Sequence, residues 1–188
     1  MKKNFQTECE KRFWIPRAAF DGLFLPREIG KMPHLTHVRT YKITQVSLTN
    51  GLIGKSKSKT AIKTRLRAQT LIRPYTDETV YTYTTKFELT PENVIETNAV
   101  INKAEFDVIQ SLYKGRKTVE KTRIVARDSA KFLIYTLDLY EGGDKVKVEI
   151  EFDSPTALEE YETPEWLSSI AVIEKKDEKE IAEQGAKQ

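Results

Sequence analysis

From Lys145 to Phe152 the chain alternates without a break between ionic and oily side chains. Lys145, Lys147, Glu149 and Glu151 fall on one parity, and Val146, Val148, Ile150 and Phe152 on the other. A helix would scatter both sets around its circumference, whereas an extended strand sends successive side chains to opposite faces. The segment therefore reads as a strand with one apolar and one charged face. Such a strand needs partners for its backbone groups and a second layer over its oily face.

The same period of two recurs elsewhere. Near the start, Glu8, Glu10 and Arg12 share a parity, with Cys9 and Phe13 on the other. In the middle, Thr64-Arg65-Leu66-Arg67-Ala68, Thr84-Thr85-Lys86-Phe87 and Lys121-Thr122-Arg123-Ile124 place cations on one face and strand-forming residues on the other. Two acidic strands facing each other can hold divalent cations, because hard ions prefer carboxylate oxygen.

Strand-like stretches rich in Thr, Tyr, Val and Ile run over about 5–14, 38–48, 61–73, 79–90, 93–101, 117–127, 131–140 and 145–153. Turn signals separate them: Asn50-Gly51, Pro74, Pro91, Gly115 and Gly142-Gly143. Helical signals are fewer. Phe106, Ile109, Gln110 and Leu112 predict a helix over 103–113, and Ser154-Pro155 predicts a cap and an early proline before a short one. Ile15 to Phe20 can open a helical turn, while Pro26, Gly30 and Pro33 argue for irregular chain after it. The fold class expected is α+β and mainly β: a closed eight-stranded antiparallel barrel, which leaves no exposed edge, with a few short helices packed outside.

At 188 residues and 39% hydrophobic, the chain suits one domain, expected over 1–173, with a charged flexible tail over 174–188. Lys55, Lys57 and Lys59 predict an exposed loop over 51–60. The 31 basic and 28 acidic side chains leave a net charge of only +3, so no global field marks a nucleic-acid binder. One cysteine excludes an internal disulfide, and no Cys/His cluster offers a soft-metal site. No signal-peptide stretch follows the first residues and nowhere do 18 apolar residues run together, so a cytoplasmic protein without a membrane span is expected. Lys145 and Lys147 read as solvent contacts, His34 and His37 as surface residues, and Tyr75, Tyr81, Tyr83, Tyr135 and Tyr140 as packing.

In order along the chain, Glu8-x-Glu10-x-Arg12-Phe13, Ile43-x-Gln45, Arg65-x-Arg67, Thr84-x-Lys86, Lys121-x-Arg123, Asp138-Leu139-Tyr140 with Gly142, Glu149-x-Glu151-Phe152 and Pro164-x-Trp166-Leu167 resemble the CYTH domain, or triphosphate tunnel metalloenzyme superfamily. The resemblance covers about residues 5–170. It implies an eight-stranded tunnel whose lumen holds Mg or Mn on acidic residues and a polyphosphate on Arg and Lys. Members hydrolyse inorganic, thiamine or nucleoside triphosphates, and some cyclise ATP.

Carried onto this chain, the resemblance implies phosphate binding by Arg12, Arg65, Arg67, Lys86, Lys121 and Arg123, and metal binding by Glu8, Glu10, Asp138, Glu149 and Glu151. It implies catalytic roles for Glu10, Arg12 and Glu96, with Glu96 or a metal-site glutamate taking the proton of the attacking water. The activity expected is Mg- or Mn-dependent hydrolysis of a small-molecule triphosphate or nucleotide, with no nucleic-acid or membrane partner. A non-catalytic nucleotide- or polyphosphate-binding protein and an adenylate cyclase are the alternatives. Four positions depart from the family pattern: Arg12 stands where Lys is common, Val94 where an arginine is, and Asn98 and Ile170 where glutamates are usual.

Overall fold

A computed structural model describes residues 9–23, 35–53, 60–73, 78–90, 93–113, 116–128 and 133–171 of the chain. In it the strands are β1 (Cys9–Pro16), β2 (Leu35–Ile53), β3 (Thr60–Arg73), β4 (Thr79–Thr90), β5 (Asn93–Ile101), β6 (Thr118–Asp128), β7 (Ile134–Tyr140) and β8 (Lys145–Phe152). The helices are α1 (Arg17–Leu23), α2 (Lys103–Leu112), α3 (Pro155–Glu159) and α4 (Glu165–Ser168). The fold is thus mainly β, with eight antiparallel strands in one sheet ordered β1-β8-β7-β6-β2-β3-β4-β5. Among the described residues no pairing of β1 with β5 closes that sheet by hydrogen bonds.

Most elements lie where the residue pattern predicts them, with one correction. Strand β2 runs to Ile53, so Asn50-Gly51 is strand where a turn was expected. A turn dipeptide yields when the flanking β-branched and apolar residues carry the ladder onward. The rest of that predicted loop, His34, Tyr75 and the tail over 174–188 lie outside the described residues. No helix among the described residues is long and apolar enough to cross a membrane.

Local chemistry fixes the helix starts. Asn102 accepts a hydrogen bond from the Glu105 amide at 2.9 Å, and Glu105 returns one from the Asn102 amide at 2.8 Å, a capping box that satisfies two orphan donors of α2. Ser154 Oγ accepts from the Ala157 amide at 3.1 Å, with Pro155 opening α3. Between β7 and β8 the chain turns on Gly142, whose φ of 70° suits a residue without a Cβ.

The chain divides into two compact units. The first contains β2 from Ile43 onward, β3, β4, β5 and α2. Its core joins Val46, Leu48 and Leu66 to Phe106 of α2, with Tyr81, Tyr83 and Ile109 packed around them. The second contains β1, α1, β6 from Lys121 onward, β7, β8, α3 and α4. On its apolar side Phe13, Ile15, Ile124, Tyr135, Leu137, Val146, Val148 and Ile150 pack with Phe20 of α1, Leu167 of α4 and Tyr161. The helices cover the oily faces of these strands, so the other parity carries the charges.

Burial of this kind sets a clear contrast. Ile150 is 0% exposed and Val100 is 78% exposed. Ile150→Ala is expected to lower unfolding free energy by about 2–5 kcal/mol in urea titrations, through lost transfer energy and the cavity left behind. Val100→Ala is expected to shift it by no more than about 0.5 kcal/mol.

Candidate active site

The second unit holds an ion network on the charged parity of four adjoining strands. In β6 and β7, Lys121 pairs with Tyr140 and Arg123 with Asp138. In β7 and β8, Asp138 pairs with Lys147 and Thr136 with Glu149; in β8 and β1, Glu149 pairs with Arg12 and Glu151 with Glu10. These registers bring side chains more than a hundred positions apart onto one surface.

Asp138 is the deepest member, 1% exposed. Lys121 Nζ donates to its Oδ2 at 2.5 Å, and Arg123 forks onto both oxygens, Nε to Oδ1 and Nη2 to Oδ2, each at 2.6 Å. Burial alone would push the Asp138 carboxyl up; the Arg123 hydrogen bonds and the charges of Lys121 and Arg123 outweigh it and hold the group well below the usual carboxylate range. Burial likewise opposes the charge of Arg123, and Asp138 and Glu149 together raise its pKa above the ordinary arginine value. Both oxygens of Asp138 are committed to cations, so its visible work is to orient Lys121 and Arg123.

Glu149 lies shallower. Lys147 Nζ reaches its Oε1 at 2.5 Å, Arg12 Nε the same oxygen at 3.5 Å, and Arg123 Nη2 its Oε2 at 3.7 Å. Arg12 also pairs with Glu10. Lys147, expected in solvent, is 3% exposed: its parity is that of the charged face, and that face is covered at its position. Trp14 and Tyr140 share this face, ring centroids 6.4 Å apart, with Lys121 Nζ 5.3 Å from the Tyr140 ring.

Donor chemistry decides where a hard divalent cation fits. Glu10 and Glu151 stand directly opposite across β1 and β8, an arrangement of like charges that destabilises a sheet unless a cation intervenes. Glu149 lies on the same face, and these carboxylates are the oxygen donors from which a hard divalent cation could take one or two ligands. No group of three or more acidic, His or Cys side chains converges as a ready cage among the described residues. Glu8 lies outside those residues. Ile170 packs against the apolar core and supplies no carboxylate.

The first unit carries its own polar face. In register across β3 and β4, Lys63 stands opposite Lys86, Arg65 opposite Thr84 and Arg67 opposite Thr82; across β4 and β5, Lys86 faces Glu96 and Thr84 faces Asn98. Glu96 Oε2 lies 3.5 Å from Arg65 Nη2 and 3.8 Å from Lys86 Nζ. Asn98 donates to Glu96 Oε1 at 2.9 Å and accepts from the buried Thr84 hydroxyl at 2.6 Å, so it orients Glu96. Arg67 donates to Gln45 Oε1 at 3.3 Å, and the Nε of Arg65 is buried with no acceptor among the described residues. Lys63, missed in the sequence, was detectable as the residue two before Arg65.

No protein-family model matches the chain, and no curated protein sequence does. Solved structures do. The inorganic triphosphatase NE1496 is 24% identical, aligned over 86% of this chain and 83% of its own, with a TM-score of 0.48. The PH1819 protein from Pyrococcus horikoshii OT3 is 18% identical over 80% of this chain and 82% of its own, at 0.52. A proposed adenylate cyclase from Vibrio parahaemolyticus is 16% identical over 95% of this chain and 99% of its own, also at 0.52. The chain shares its fold with the PH1819 protein and with the proposed Vibrio adenylate cyclase.

The Asp138 network sets an acid response. A carboxyl whose pKa is depressed by folding stabilises the native state above its unfolded value, near 4, and that contribution fades as pH falls toward the folded value. Unfolding free energy is therefore expected to drop with acidification below about pH 4. In Asp138→Asn, equilibrium denaturation is expected to show a shallower pH slope there and a loss of about 3 kcal/mol at neutral pH, because the buried Lys121 and the part-buried Arg123 lose their counter-charge.

Proposed function

We propose that this chain binds a small-molecule triphosphate and hydrolyses its phosphoanhydride bond with Mg or Mn. The observation that carries this reading is the in-register clustering of Lys63, Arg65, Arg67 and Lys86 on one face of β3 and β4. A polyphosphate is a dense anion, and such a face lowers its energy through bidentate arginine forks and lysine point charges. In the second unit Arg12, Lys121 and Arg123 offer the same chemistry, with Asp138 holding the last two in place. The resemblance of the motif order to the CYTH domain and the fold shared with a proposed adenylate cyclase support the reading.

The residues divide the work by type. Glu10, Glu149 and Glu151, with Glu8, would hold the divalent ion. When bound, that ion supplies Lewis-acid neutralisation of charge on phosphate oxygens. The base for the attacking water is Glu96, oriented by Asn98 and flanked by Arg65 and Lys86, or one of the metal-site glutamates. Arg12 keeps its proton at any working pH, so its part is to stabilise charge on the phosphates. The remaining arginines and lysines stabilise the charge that develops in phosphoryl transfer.

Incubation with inorganic triphosphate, ATP and thiamine triphosphate, each with Mg or Mn, tests the proposal by phosphate and cyclic-nucleotide detection. Phosphate release is the expected result. Tight binding without turnover would mean sequestration, and cyclic AMP would mean cyclisation. Glu10→Gln is expected to cut kcat by about a hundredfold or more, and Arg65→Ala to act mainly on KM, by about tenfold. Wild-type turnover by Glu10→Gln with Mg present would refute the role of Glu10.

A further inference from the structure

Lys147 is the cation of the network that the motif order does not account for. It lies on the charged parity of β8, two residues before Glu149, with only 4% of its side chain exposed, against 46% for Arg12 and 21% for Arg123. All three meet Glu149, at 2.5 Å for Lys147 and at 3.5 and 3.7 Å for the two arginines. The contacts differ in what each cation can do next. Arg123 keeps Nε and Nη2 on Asp138 and Arg12 keeps its pairing with Glu10, but both have partial access to solvent and their contacts with Glu149 are long, so these can be exchanged for a phosphate oxygen. Lys147 is enclosed, and burying a charge is tolerated only where it keeps a close counter-charge.

We propose that Lys147 is a positioning residue that anchors the Glu149 carboxylate, so that Arg12 and Arg123 can leave it for the incoming phosphates. This rests on the triphosphate-binding reading above. Without the Lys147 ammonium, Glu149 compensates by drawing the two arginines onto itself, and they become competitively occupied. The expected consequence is weaker binding of inorganic triphosphate even with no metal present, by about tenfold, the scale of one charge-assisted hydrogen bond. Lys147→Arg keeps the charge and is expected to recover most of the loss.

A double-mutant cycle separates an effect through Glu149 from a direct phosphate contact. Calorimetric titration of metal-free wild type, Lys147→Met, Glu149→Gln and the double variant with inorganic triphosphate is expected to show the tenfold loss in the wild-type background and none in Glu149→Gln. An equal loss in both backgrounds, or none in either, would overturn the proposal. A readout without ligand keeps it distinct from the functional reading. In nitrogen-detected spectra of lysine ammonium groups, Lys147 is expected to give a protected signal that vanishes in Glu149→Gln. If wild type fails to bind triphosphate while that signal behaves as described, the functional reading fails and the anchor stands. If the signal persists in Glu149→Gln, the anchor fails. Far-UV circular dichroism melts confirm that each variant is folded, and Lys147→Gln replaces Lys147→Met if the latter is not.

Discussion

A carboxylate with 1% exposure survives inside a sheet only when its charge is met from several sides, and Asp138 is met by Lys121 and by the bidentate fork of Arg123. That interaction governs much of the second unit. It holds β6 to β7 in one register, since a slip of one residue would send Lys121 and Arg123 to the oily face and Ile124 to the charged one. The Arg123 Nη2 that donates to Asp138 also lies 3.7 Å from Glu149, linking the deep part of the network to its shallower edge. The network is built from strand alternation and needs no loop to position it.

The two units show two versions of one solution. In each, a layer of helix covers the apolar parity of antiparallel strands, Phe106 of α2 in the first and Phe20 and Leu167 of α1 and α4 in the second. The remaining parity is then left to polar groups. In the second unit the cations are offset by Glu10, Asp138 and Glu149, and in the first Glu96 pairs with both Arg65 and Lys86.

Strands were legible because alternation is a local property: Lys145 to Phe152 declares itself with no knowledge of its neighbours, and β8 spans those residues. The helix over 103–112 was equally plain from the helical spacing of Phe106, Ile109, Gln110 and Leu112. What alternation leaves open is which face is covered. Lys147 has the same parity as Glu151, yet one is buried and the other exposed, because burial depends on strands that pair from distant parts of the chain. Helix α1 was legible only as a turn that Ile15 to Phe20 can open; its seven residues hold too little periodic signal for more, and it is held by packing Phe20 into a core assembled from β1, β6, β7 and β8. The individual site residues were legible through motif order, but the pairing of Asp138 with both Lys121 and Arg123, and the support that Asn98 gives Glu96, are products of register.

Trp14 adds an optical property to the network. Its indole is 5% exposed, shares the parity of Arg12 and Glu10, and stands opposite Lys147 in the β1–β8 ladder, while the other tryptophan, Trp166, sits beside Tyr135 on the apolar side. Indole emission responds to nearby charge, so ultraviolet light interrogates the ionic surface of this protein through a chromophore it already contains, with no label attached.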